Sequence, residues 1–256
     1  MPASDLRLST VDSPSDELMN ALGTLFELGK YSDLTITSGI RRYAVHKAIV
    51  CSRSGFFDGA CSNPFKESES GTIDLSEDDP EAVDHMVHYF YHLEYLTTPR
   101  VQPQGTTLSS PLASPISQKH LSFDSIIDEN HSEVDEIESA AEQQAKGSAS
   151  NLTLHAKVYA IAEKYGIQGL KTMAKNKFSA QMAYHWDSPE VPLAIQEVYE
   201  TTVDSDRGLR DVITSTFRCY PELAQRRDVE AVVKETPELA WELFRVGWDL
   251  PLTLSS

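Results

Sequence analysis

Tyr31-Ser32-Asp33-Leu34-Thr35-Ile36-Thr37-Ser38-Gly39-Ile40-Arg41-Arg42-Tyr43-Ala44-Val45-His46-Lys47-Ala48 is the stretch whose reading decides the fold. Leu34 and Ile36 alternate with polar neighbours, the period of a strand with one buried face. Ser38-Gly39 supplies a residue that tolerates positive φ, and Tyr43 and Val45 return on a single face, so the two runs form a β-hairpin. From His46 the order of apolar residues turns helical, until Ser52-Arg53-Ser54-Gly55 breaks it and Phe56-Phe57 restarts the core. Ile73 and Leu75, two apart in Gly71-Thr72-Ile73-Asp74-Leu75, mark a third strand.

Outward from this stretch, composition sets the bounds. The chain has 256 residues, 40% of them hydrophobic, which is enough for a proper core. Its formal net charge of -17 opposes a phosphate backbone and an anionic lipid surface, because binding to either depends on clustered Lys and Arg. No nucleic-acid or membrane partner is therefore expected. Cys51, Cys61 and Cys219 are odd in number and lack C-x-x-C spacing, which suits a reducing compartment, and Cys51 and Cys61, next to apolar residues, read as packing thiols. The first residues carry neither a basic nor an apolar block, and no apolar run reaches the length of a bilayer, so the expected location is intracellular, nucleus or cytoplasm. Searches for G-x-G-x-x-G, G-x-x-x-x-G-K-[ST], G-x-S-x-G, H-E-x-x-H and calcium-loop patterns find none, and neither catalysis nor a cofactor or metal is expected.

The motifs Tyr31-Ser32-Asp33-Leu34, Val45-His46-Lys47-Ala48, Ser54-Gly55-Phe56-Phe57, Phe65-Lys66-Glu67-Ser68, Ile73-Asp74-Leu75 and Asp79-Pro80-Glu81-Ala82 resemble, in order and spacing, the BTB/POZ domain, most closely its fungal type. The resemblance implies an α+β fold, a small sheet of about three strands capped by helices, and a non-catalytic adaptor working through protein contacts. It also implies a homodimer, since in that family the first helix commonly packs across a two-fold axis. A subset of the family binds a cullin scaffold of ubiquitin ligases through a hydrophobic residue, any residue, then an acid before the third strand. Phe65-Lys66-Glu67 occupies the matching place; the other reading is that Phe65 covers its own core while Glu67 is solvated. Asp33 and His46 match positions where an acid and a basic residue approach the dimer groove, with pairing across the hairpin as the alternative. A self-associating scaffold or transcriptional co-regulator without a ligase role is the competing function.

Residues 1–12 are polar and unpatterned, which predicts disorder. The first domain segment, 13–96, opens with Ser13 as N-cap, Pro14 in the first turn and Asp16 as the acid, followed by Leu18, Leu22, Leu25 and Phe26 on one face. That stripe is either ordinary core or a dimer surface. Asp79-Pro80-Glu81 starts a helix over 80–92 with Val83, Met86, Val87 and Phe90 buried, leaving His85, His88 and His92 on a solvated face. Residues 97–150 are rich in Pro, Ser and Thr, hold three basic and eight acidic side chains, and read as a flexible acidic insertion with a weak helix from Ser132 to Lys146. In it Thr98, Ser110 and Ser114 precede proline and are accessible phosphorylation sites, whereas Ser13, Ser188 and Thr236 precede proline at helix caps and are shielded.

Residues 151–184 form a helix pair divided at Gly166, similar to the closing pair of the BTB domain. Residues 185–250 keep making helices, an all-helical extension. Its last helix, begun at Thr236-Pro237-Glu238, is too apolar to remain in water: Leu239, Trp241, Leu243, Phe244, Val246 and Trp248 must fold onto neighbouring helices or into a partner's groove.

Overall fold

A computed structural model of the chain describes residues 13–62, 70–95 and 150–252. The described residues belong to one compact unit built from Met1–Thr97 and Ala149–Ser256. Phe65, Lys66, Glu67, Thr98, Ser110, Ser114 and the helix expected from Ser132 lie outside them.

Helix α1, Pro14–Leu28, starts where the sequence places it, because Ser13 and Asp16 satisfy each other's exposed backbone donors. The Asp16 N–H donates to Ser13 Oγ at 3.2 Å and the Ser13 N–H to Asp16 Oδ2 at 3.1 Å. Gly29, at φ +60°, ends the helix in a left-handed conformation that costs a residue without Cβ little.

Strands β1, Leu34–Ser38, and β2, Arg41–Val45, pair antiparallel in the register Leu34↔Val45 and Ile36↔Tyr43. Strand β3, Thr72–Asp74, lies parallel to β1 with Ile36 opposite Ile73, giving the order β2-β1-β3. A parallel neighbour needs a crossover. Helices α2, Lys47–Val50, and α3, Gly55–Ser62, lie within it. Leu34, Ile36, Tyr43, Val45 and Ile73 all point into the core.

Helix α4, Pro80–His92, is the central post of the fold. Asp79 caps it, accepting the Glu81 and Ala82 N–H groups at 3.0 Å each. Its expected solvated histidine face is not there. Helix α5, Leu152–Lys164, covers that side, so His85 is 1% exposed and meets Tyr95 edge-on, as does His155. The helical wheel finds a polar stripe but cannot know that a helix about sixty residues later packs over it. His88 and His92 are half-buried, their rings stacked at 4.0 Å, and His88 Nδ1 lies 2.9 Å from the Glu94 carbonyl.

Gly166, at φ +67°, turns α5 into α6, Gln168–Tyr184. Tyr165 just before it locks the helix pair onto the early core. Its hydroxyl donates to Asp78 at 2.5 Å, its carbonyl accepts Ser54 Oγ–H at 2.6 Å, and its ring stacks on Phe57 with centroids 5.5 Å apart.

The extension continues this core. Helices α7, Val191–Thr201, α8, Arg207–Cys219, α9, Arg227–Glu235, and α10, Pro237–Gly247, bury Ile195, Leu209, Ile213, Val229 and Leu239. Helix α9 is not among those expected from the helix signals of the sequence. Gly208 admits α8 to α5 closely, since a Cβ there would lie 2.1 Å from the Tyr159 hydroxyl.

Candidate partner-binding surfaces

The stripe of α1 splits in two. Gly23 is the one buried residue of the helix; a Cβ on it would lie 2.8 Å from His92 Cε1, so the His92 ring of α4 packs directly on the bare backbone of α1 and would have to move for any larger residue. Beside it Leu22 and Phe26 pack on the core, and the Phe26 ring stacks on Tyr91 with centroids 4.6 Å apart. Leu18 and Leu28 stand about 60% exposed, Ala21 is exposed and Leu25 half-buried. Leu18, Ala21, Leu25 and Leu28 follow a three-four-three spacing, the seam by which one helix packs along another. The spacing was visible in the sequence, but only the packing of α1 on α4 separates this seam from the inward residues.

Asp33 and His46, expected near the same surface, are engaged locally rather than with each other. Asp33 Oδ1 accepts the Lys47 N–H at 2.7 Å and so caps α2. His46 Nε2 faces the Lys30 carbonyl at 2.6 Å, which can only accept, so the proton sits on Nε2 and Nδ1 accepts from the Tyr91 hydroxyl at 2.9 Å. Burial lifts that hydroxyl's pKa to about 12. These bonds fix the angle between α1, the hairpin and α4.

Among the described clefts, one brings charged groups together as ion pairs. It holds about 340 Å³ and is lined by Asp78, Asp79, Lys157, Lys164 and Glu197. Lys157 binds Asp79 at 2.7 Å and Lys164 binds Asp78 at 2.6 Å. Among the described residues no cluster of three or more His, Cys, Asp or Glu is placed to hold a metal. The Cys51 thiol is pushed up to about 12 by burial first and then by neighbouring Cys61, the opposite of an activated nucleophile. No helix of the described residues is long and apolar enough to cross a membrane.

Comparison with protein families agrees with this geometry. Residues 22–104 match the model of the BTB/POZ domain, which spans the inner half of α1, the sheet, the crossover and α4. The chain contains a BTB/POZ domain, carries a helical extension after it, and is a protein–protein interaction module.

Proposed function

We propose that this chain is a non-catalytic adaptor of the fungal BTB type that self-associates through the outer seam of α1. The observation carrying this reading is the seam itself: three leucines and an alanine at helix-pairing spacing, two of the leucines about 60% exposed. Burying an exposed leucine contributes roughly 1.5–3 kcal/mol, and a two-fold axis doubles each contact. Leu18, Leu22, Leu25 and Phe26 then serve two purposes, the inner pair fastening α1 and the outer pair facing a second copy. Asp33 and His46 support the groove by holding α1 in place.

Analytical ultracentrifugation of the full chain is expected to give a species of twice 28.5 kDa at micromolar concentration. Leu18→Asp with Leu28→Asp is expected to weaken the dimer at least about tenfold, or ~1.4 kcal/mol, with unchanged circular dichroism. A wild-type chain that sediments as a monomer overturns the reading.

Recruitment of clients to a cullin ligase through Phe65-Lys66-Glu67 is the finer form of this proposal and rests on the resemblance of those three residues. An aromatic side chain filling a pocket, with a carboxylate nearby to fix register, is the physical sense of such a contact. Phe65→Ala with Glu67→Ala is expected to abolish co-purification with a cullin; retention of the complex by the double variant means that this motif is not the contact, whereas a wild-type chain that recruits partners without any cullin belongs to the scaffold or co-regulator role instead.

A further inference from the structure

The outer seam of α1 is uneven along its length, in size and in charge. Leu18, Ala21, Leu25 and Leu28 set one small side chain among large ones. Asp16 and Glu17 stand exposed in the first turn, and Lys30 stands exposed two residues beyond Leu28. Asp16 is held by the Ser13 N–H at the cap. The Glu17 carboxylate and the Lys30 ammonium have no ion-pair partner among the described residues.

Two copies of one helix pair along such a seam in one of two directions, and these differ in what they set together. Parallel pairing puts Ala21 on the partner's Ala21, which leaves a gap between layers of leucine, and it gathers Asp16 and Glu17 of both copies at one end. Antiparallel pairing about the middle of the seam puts Leu18 on the partner's Leu28 and Ala21 on the partner's Leu25, so every layer holds a leucine. It also brings Lys30 level with the partner's Glu17 and sets the two helix dipoles in opposition. Glu27 then meets the level of the partner's Met19 and Asn20, where no like charge repels it. We propose that two copies of this chain pack α1 against α1 in opposite directions, with Lys30 of each copy bound to Glu17 of the other. The inference rests on the self-association proposed above and gives it a direction and two symmetry-related ion pairs.

Sedimentation of charge variants of the full chain, together with thiol cross-linking, tests the direction. In low salt Glu17→Lys and Lys30→Glu are each expected to weaken the dimer at least about threefold, because each sets like charges together twice across the axis. The combined exchange, Glu17→Lys with Lys30→Glu, is expected to return to within about twofold of wild type. Under parallel pairing Glu17→Lys would strengthen the dimer instead, by relieving repulsion among the gathered acids. For cross-linking, Thr24→Cys lies beside the axis of an antiparallel pair, whereas Leu18→Cys lies about 15 Å along the helix from its counterpart. Under mild oxidation Thr24→Cys is expected to give a covalent dimer and Leu18→Cys none, with wild type, whose Cys219 is exposed, as the control. Cross-linking through Leu18→Cys, or none through Thr24→Cys, overturns the inference and leaves the self-association standing, as do single charge variants of unchanged or higher affinity. A wild-type chain that sediments as a monomer removes the self-association itself, and the inference with it.

Discussion

Glu242→Ala is expected to lower stability by about 3–5 kcal/mol, the largest single loss for a charged residue of the extension. Glu242 on α10 is 7% exposed; it accepts the Tyr199 hydroxyl of α7 at 2.7 Å and both Nη groups of Arg207 on α8. Arg210, 3% exposed, lies 3.7 Å from the same carboxylate, with its guanidinium 4.6 Å over the Tyr199 ring. Removing the carboxylate leaves two guanidinium groups with less neutralising charge in a poorly solvated site, and that penalty exceeds the worth of the bonds themselves. Glu230→Ala is the contrast: Lys234–Glu230 is an i,i+4 pair with both side chains more than half exposed and screened by solvent, and its loss is expected to leave the unfolding midpoint nearly unchanged. Urea unfolding of the two variants measures the difference. A loss below about 1 kcal/mol for Glu242→Ala would mean that water reaches these charges in solution.

Much of this arrangement was legible in the residues, and what was not has a common physical cause. Alternation at Leu34–Ile36 and Tyr43–Val45 gave both hairpin strands, since one face of a small sheet must be buried. Ser13, Asp16, Gly29, Asp79 and Gly166 marked helix ends because they meet backbone needs that are local in sequence. What sequence spacing could not supply is which face of a helix a distant element covers. The same periodicity that placed Leu18 and Phe26 together does not say that Phe26 meets Tyr91 while Leu18 stands in water. Nor does it say that the last helix turns Leu239 inward and Trp241 outward. Helix α9 escaped for another reason: Val229, Val232 and Val233 keep helical spacing, but they are β-branched and set among charges, a weak signal beside the prolines on either side.

Stability is expected to fall as pH drops from about 6.5 towards 4.5, with His155 responsible for a large part of the slope. His155, 1% exposed, shares a hydrogen bond of 2.7 Å between its Nδ1 and the Tyr95 hydroxyl. Burial first, then Lys177 and His85, lowers its pKa from 6.5 to about 3. His85 is lowered too, by burial first and then by His88, Lys177 and Arg41 against the opposing pull of Asp84. Among the described residues neither ring nitrogen of His85 has a hydrogen-bond partner. In the unfolded chain both rings take up a proton near pH 6.5, whereas the folded chain refuses it. Unfolding therefore gains protons below that value, and each ring costs up to about 1.4 kcal/mol per pH unit until its folded pKa is reached. Asp79 and Asp206, whose pKa values are lowered from 3.8, lose their contribution only below that value, so the window from 6.5 to 4.5 belongs mainly to histidines. His155→Gln keeps a hydrogen-bond partner for Tyr95 but cannot titrate. It is expected to be less stable than wild type at pH 7.5 by about 1–2 kcal/mol and to have a slope shallower by nearly one proton. Urea midpoints at pH 7.5, 6.0 and 4.5 measure both effects. Parallel slopes for the two proteins would show that His155 is protonated in the native state and that its side of α4 is open to water.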